Sequence, residues 1–534
     1  MTTAKAGSTC TSKRRVTFWL SLLVVGFLTS TVTAGSIPSD VREVHVLNRL
    51  GFGPRLGDIA RIRAMGVDKY IEEQLSPESI PLPQSLTSKL ESLETLRQSS
   101  LELFLAYGPP SYAGKQGDQT VAQRGRQRAR VIVDQAAEAR FLRAIESPRQ
   151  LEEVMVNFWF NHFNVFAQKG LDHLWIGSYE EEAIRPYALG RFRDLLGATA
   201  KHPAMLFYLD NWQNTAPNSP GARGQFKGLN ENYARELMEL HTLGVDGGYT
   251  QNDVITLAKV LTGWGFRRPG QPQQLSSLST VQNPLRGNGF YFDANRHDFS
   301  PKVFLGYSLR GSGVQEGEEA LDILSRHPST ARFISYKLAQ YFVADDPPKT
   351  LVNLLAKRFL ETDGDIRRVL FTLFHSAEFW DQQYFGQKFK TPFQYVISSV
   401  RAAGVPITNT QPLRGTIGLL GMPLYGCLTP DGYKNTQAAW LNPSAMSQRL
   451  NFAVGLASGR LPLHQAPINS MAQMGGSTAP TTENQSNRIT PLNPDDLMNT
   501  LGNSMSPETK ANIEAGRPAL RAALVLGSPD FMRR

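Results

Sequence analysis

The chain is 534 residues long, 41% hydrophobic and 19% charged, with a formal charge of +9. That supplies apolar material for a large core and excludes both a disordered chain and a small disulfide-stapled domain. Lys5, Lys13, Arg14 and Arg15 lie in the leading segment, so the remainder carries only +5, too modest an excess to point to nucleic acid as a partner.

Lys13-Arg14-Arg15, the almost uncharged stretch Val16 to Thr33 and the small residues up to Ala34 read as a secretory signal peptide over 1–34, cleaved after Ala34. An uncleaved anchor is the competing reading, since the apolar stretch is nearly long enough to span a bilayer. No comparable run follows, so no transmembrane segment is expected after cleavage, and the expected location is periplasmic or secreted. Cys10 falls in the leader, which leaves Cys427 alone and no intramolecular disulfide.

Further along, apolar residues recur at helical spacing: Ile59 to Leu75, Leu151 to His162, Val254 to Trp264, Glu318 to Leu324, Ala331 to Phe342, Leu351 to Leu360 and Ile366 to Phe374. Strand-like alternation is confined to Phe290–Phe292 and Val303–Tyr307. Thr250 with Asp253, Asp363-Gly364-Asp365 and Ser506-Pro507 mark helix starts. The expectation is a mainly α fold: one large multi-helix domain over 35–466 with few short strands and long irregular loops, near Asn214 to Gly228 and Arg267 to Asn288. Two subdomains meeting near Ile366 are a variant of this reading. A flexible linker over 467–505 and a C-terminal helical segment over 506–534, packed on the core, complete it. Arg124, Arg126, Arg128 and Arg130, with Arg140 and Arg143 further on, form a basic run suited to an acidic envelope partner or to a solvated helix face.

The densest chemistry lies in Leu229 to Gly244, where Asn230 can cap a helix and Gly244 can end it. With Asn232-Tyr233-Ala234-Arg235-Glu236-Leu237-Met238-Glu239-Leu240-His241-Thr242-Leu243-Gly244 and Leu261-Thr262-Gly263-Trp264, the chain resembles the bacterial family catalogued as domain of unknown function 1800. Trp159-Phe160-Asn161-His162-Phe163, Arg296-His297-Asp298-Phe299, Lys390-Thr391-Pro392-Phe393 and Leu526-Gly527-Ser528-Pro529-Asp530-Phe531 extend the resemblance over nearly the whole mature chain. It implies no particular activity.

On a regular helix at about 100° per residue, Asn232, Arg235, Glu236 and Glu239 share one face, while His241 flanks the apolar side. Glu236 and Glu239 are candidates for acid/base catalysis, Arg235 for an anionic ligand group and Asn232 for orientation. A structural i, i+4 pair of Arg235 with Glu239 is the alternative. Asp210, Asn211, Asn161 and Asp298 are candidate ligand-binding residues. His162 and His241 both aim toward core and could meet there; joined by His297 and a carboxylate, they would suit a divalent transition metal such as zinc, iron or copper. Buried, hydrogen-bonded histidines are the competing reading. The functional expectation is an exported bacterial hydrolase acting on an envelope or extracellular substrate. Its rival is a non-catalytic envelope binding or structural protein with a buried polar network.

Overall fold

The computed structural model describes residues 40–109, 119–267, 289–464 and 490–534, so the expected signal peptide lies outside the described residues. Among the described residues, twenty-three α-helices and four strands of three residues make the fold mainly α. Among the described residues no helix is long and apolar enough to cross a membrane.

The helices begin and end where short polar residues and glycines place them. Thr250 and Asp253 form a reciprocal capping box, Asp365 accepts from Arg368 N–H to start Ile366–Phe374, and Ser506 accepts from Thr509 N–H to start Pro507–Ala515. The spacing from Ile59 to Leu75 resolves into two helices, Asp58–Met65 and Val67–Leu75, because Gly66 sits between them at φ 92°. Strand Phe290–Phe292 pairs antiparallel with Trp264–Phe266, and Lys302–Phe304 pairs with Tyr307–Leu309 across a Leu305-Gly306 turn whose φ angles are both positive.

At the centre lies the helix Gln150–His162. All of its thirteen residues except Glu152 and Asn161 are buried, so it is enclosed on every side rather than along one stripe. Each large apolar side chain so enclosed contributes about 1.5–3 kcal/mol. Its buried Glu153 is matched by Arg185 in a two-pronged pair at 2.9 and 3.1 Å. Arg140 bonds Glu180 and Asn157, both at 2.9 Å, and Arg143 pairs with Glu181. These two arginines, on the inner side of the long helix Gln119–Glu146, are thus part of the interior rather than of a basic surface, whereas Arg128 and Arg130 are exposed.

The contact pattern keeps Ser39–Arg534 as one unit, without a division at Ile366. The expected linker over 467–505 is narrowed at its far end, where Pro494–Leu501 is a helix that buries Leu497, Thr500 and Leu501. Arg521–Leu526 follows, and Tyr395 Oη donates to Leu526 O at 3.1 Å, tying the C-terminal segment to the core. Two similar segments close helices by one device: Ser376 Oγ accepts from Phe379 N–H at 3.2 Å, and Ser528 Oγ from Phe531 N–H at 3.1 Å.

Candidate active site

The motif helix is not regular. Asn232–Glu236 is α-helical, but Leu237–Thr242 widens into a π-turn, with Leu243 N–H bonded to Met238 O at 2.8 Å and Thr242 Oγ1 to Leu237 O at 2.6 Å. The expectation of a single α-helical wheel is corrected accordingly. A widened turn of this kind inserts a residue and re-aims the side chains beyond it, a device frequent at functional sites. Gly244, at φ 82°, ends the helix as its lack of a side chain allows. Asn230 Oδ1 accepts from Asn232 N–H at 3.0 Å at the start.

Three of the four polar residues on the outer face are partnered. Arg235 reaches Glu231 at 3.2 Å, Gln251 at 3.0 Å and Glu239 at 3.8 Å, and Tyr249 hydrogen-bonds Glu239. Asn232 Nδ2 donates to Leu209 O at 3.1 Å, which fixes the helix to the preceding segment. Glu236 is different: half-buried, it forms no hydrogen bond or ion pair among the described residues. Burial, the Glu239 charge and Asp431 push its carboxyl above the usual carboxylate range, against the opposing pull of Arg235.

Asp431 enters from a loop nearly two hundred residues downstream. Thr429 Oγ1 donates to it at 2.6 Å and Lys434 Nζ at 2.5 Å, and these bonds hold it below its ordinary value despite partial burial. The loop is clamped by the last turn of the central helix and the residues just after it. Asn161 donates to Tyr433 O at 2.9 Å and accepts from Tyr433 N–H at 2.8 Å, while Asn164 donates to Cys427 O at 3.1 Å and Thr429 O at 2.9 Å. Gly432 is required there, since a Cβ would lie 2.1 Å from Asn161 O. Asn161 is therefore a clamp, with both ends of its carboxamide occupied. Lys337 also faces this region: burial and the Lys434 charge lower it, with Asp431 pulling the other way.

His162 and His241 do meet, with ring centroids 6.2 Å apart and His162 Nε2 3.1 Å from His241 O. Burial brings His241 down to about 3, and neither of its ring nitrogens has a partner, so it is a neutral core residue. Burial and the Lys337 charge press His162 well below its ordinary value. His297 does not join them. Its Nδ1 lies 2.9 Å from Thr262 O and its Nε2 2.8 Å from Glu316, which also takes Lys302 at 2.9 Å. Among the described residues no group of three or more His, Cys, Asp or Glu side chains is gathered closely enough to hold a metal ion. The expected three-histidine centre is corrected to two separate places, because His297 follows the Phe290–Phe292 strand into its own ion network.

The remaining ligand-binding candidates are absorbed locally. Asn211 Nδ2 donates to Leu261 O at 3.2 Å and Trp264 O at 3.1 Å, fixing a turn; Asp210, at φ 60°, pairs with Lys169 at 2.9 Å. Asp298 accepts from Ser300 N–H at 2.9 Å, which helps hold it below its usual range in spite of partial burial. The sequence alone passed over Asp431, Lys337 and the role of Tyr249. The Pro430-Asp431-Gly432 turn signal was the available clue to the first.

A mainly α fold in which a π-turn helix carrying Glu236 lies within electrostatic reach of a clamped loop carrying Asp431 is the class of protein these features define. The family model described as a protein of unknown function (DUF1800) matches residues 45–533, and the chain belongs to that family. No curated protein and no solved structure matches.

Proposed function

We propose that the chain is a hydrolase in which Glu236 is the general acid and Asp431 the ionised partner that activates water. The observation that carries this reading is the contrast between the two carboxyls. Glu236 is half-buried, unpaired and displaced upward, while Asp431, close enough to contribute to that displacement, is held ionised by Thr429 and Lys434. Environments that separate two carboxyl groups in this way assign one to proton donation and the other to proton acceptance. Arg235 and Glu239 orient the helix face, and Lys337 offers a cation to an anionic substrate group. The leading segment supports export, and hence an envelope or extracellular substrate.

The non-catalytic alternative draws support from Asn161, Asn164, Asn211 and Asn214, whose side chains serve main-chain groups. One experiment separates the two. Glu236→Gln and Asp431→Asn are assayed against chromogenic esters, glycosides and peptides alongside urea unfolding. Loss of hydrolysis with stability changed by less than about 0.5 kcal/mol supports catalysis. A loss of about 1–3 kcal/mol in Glu236→Gln would mean that the carboxyl is a structural bond instead.

A further inference from the structure

Two segments that carry the family resemblance, Lys390–Phe393 and Leu526–Phe531, come together away from Glu236 and Asp431. Phe389 and Arg533 form an antiparallel bridge, flanked by Lys390 N–H to Met532 O at 2.9 Å and Arg534 N–H to Lys388 O at 2.8 Å. Alternation along the two extended segments sends Lys388, Lys390 and Arg534 to one face. Arg449, from the helix Pro443–Ala457, donates to Lys390 O at 2.7 Å, and Arg49, at the end of the helix Val41–Arg49, lies within electrostatic reach of Arg534 and Lys388. All five cations are buried, none more than 4% exposed.

Their negative partners are too few. Asp345 pairs with Lys388 and accepts from Gln437 N–H at 2.7 Å. The main-chain O of Arg534 accepts from the Lys388 N–H at 3.3 Å. Among the described residues, Arg49 Nε and Nη1, Arg449 Nε and Nη1, and Arg534 Nε have no hydrogen-bond partner. Lys390 Nζ lies over the face of Phe531, 4.0 Å from the ring centroid, and makes no hydrogen bond to another described residue. Aromatic faces also lie under Arg449 at 4.6 and 4.7 Å and under Arg534 at 4.6 Å. Such faces soften the cost of a buried cation but leave its N–H groups unmet, and guanidinium groups do not escape by losing their protons.

We propose that this cluster binds a tetrahedral oxyanion of phosphate or sulfate type between Lys390, Arg449 and Arg534. An ion of that class brings several acceptor oxygens to the unmet N–H groups and offsets the positive excess. The same shortage of negative charge is visible in the two lysines: burial, with Arg449 and Arg534 beside it, lowers Lys390 to about 7, and burial lowers Lys388 to about 8 although Asp345 opposes this.

The test is equilibrium dialysis of the full chain against radiolabelled inorganic phosphate at pH 7 and constant ionic strength, with thermal unfolding in the same buffers. Saturable uptake near one phosphate per chain is expected, with a rise in melting temperature, competition by sulfate and no competition by chloride. Lys390→Met keeps the aliphatic stem and should weaken uptake at least tenfold, while Glu236→Gln, on the π-turn helix, should leave it unchanged. Absence of saturable uptake by the wild-type chain would overturn the proposal whether or not the variant folds. So would equal competition by chloride, or unchanged uptake in a folded Lys390→Met protein.

Discussion

Replacing Asn161 by alanine tests how the loop that carries Asp431 is held in place. The carboxamide makes two bonds to one residue, donating to Tyr433 O at 2.9 Å and accepting from its N–H at 2.8 Å. Two hydrogen bonds at about 1 kcal/mol each give a loss of about 2 kcal/mol, kept at the low end because Tyr433 is only half-buried and water can replace part of what is removed. Asn164 continues to hold Cys427 and Thr429, so the loss falls on the far half of the loop, where Asp431 sits. Amide exchange read on peptides spanning Leu428 to Thr436 should then accelerate about thirtyfold, since each 1.4 kcal/mol is a factor of about ten. Asn161→Asp, which keeps the acceptor and removes the donor, should open the same peptides. Exchange changed by less than about threefold, with an unaltered urea midpoint, would show that the clamp does not hold the loop and that Asp431 is placed by something else.

Glu180→Leu removes the buried carboxylate that meets Arg140 at 2.9 Å, Arg185 at 3.4 Å and the Tyr425 hydroxyl at 3.0 Å, leaving Arg140 only Asn157 and Arg185 its Glu153 and Glu181 partners, so urea unfolding should record a loss of about 3 kcal/mol. A loss below about 1 kcal/mol would mean that the network relaxes around the gap. His241, lowered to about 3 by burial, binds fewer protons folded than unfolded between that value and 6.5; its contribution to stability is complete above pH 6.5 and is lost as pH falls toward 3. His241→Leu should therefore remove up to about 1.4 kcal/mol per pH unit from the slope of stability across that window, and an unchanged slope would place the titrating group elsewhere. Glu236 has the opposite sign. Its raised carboxyl contributes fully below the unfolded value and loses that contribution as pH rises through the folded one, so Glu236→Gln should flatten the decline in urea midpoint above pH 4.5.

Helix placement was legible because it depends on local chemistry. The apolar spacing at Ile366–Phe374, the Thr250 and Asp253 cap and the glycine after Leu243 each act within a turn of chain, and the structure places them as their chemistry requires. The meeting of His162 with His241 was legible for a related reason, since both lie on the apolar side of helices that must pack. The π-turn was not, because a helical wheel assumes the very regularity that Leu237–Thr242 abandons. Asn161, Asn211 and Asn232 looked like ligand-facing residues, yet an amide that reaches a main-chain group across a turn has the same sequence appearance as one that reaches a ligand. Asp431 escaped because its meaning comes from Glu236, which sequence separation hides. Arg140 and Arg143 belonged, on sequence, to a basic run; their partners, the buried Glu180 and the half-buried Glu181, show that charge density alone does not say which way a helix faces.

The first helix is fastened by the last fifth of the chain. Asn503 donates both its main-chain N–H and its side chain to Asp40, at 3.0 and 2.8 Å, across a separation of 463 residues, and Arg401 reaches back to Gly53 O at 3.0 Å. Contacts that span so much chain cannot form while synthesis is under way, and the entropy of closing such loops must be met before they return any stability. Asp58–Met65 and Val67–Leu75 already pack on the first helix, but the part of it that meets Asn503 waits for a segment made far later, and its docking should be a slow, late event exposed to aggregation. A chain truncated before Pro494 would lose that part of the helix's cover.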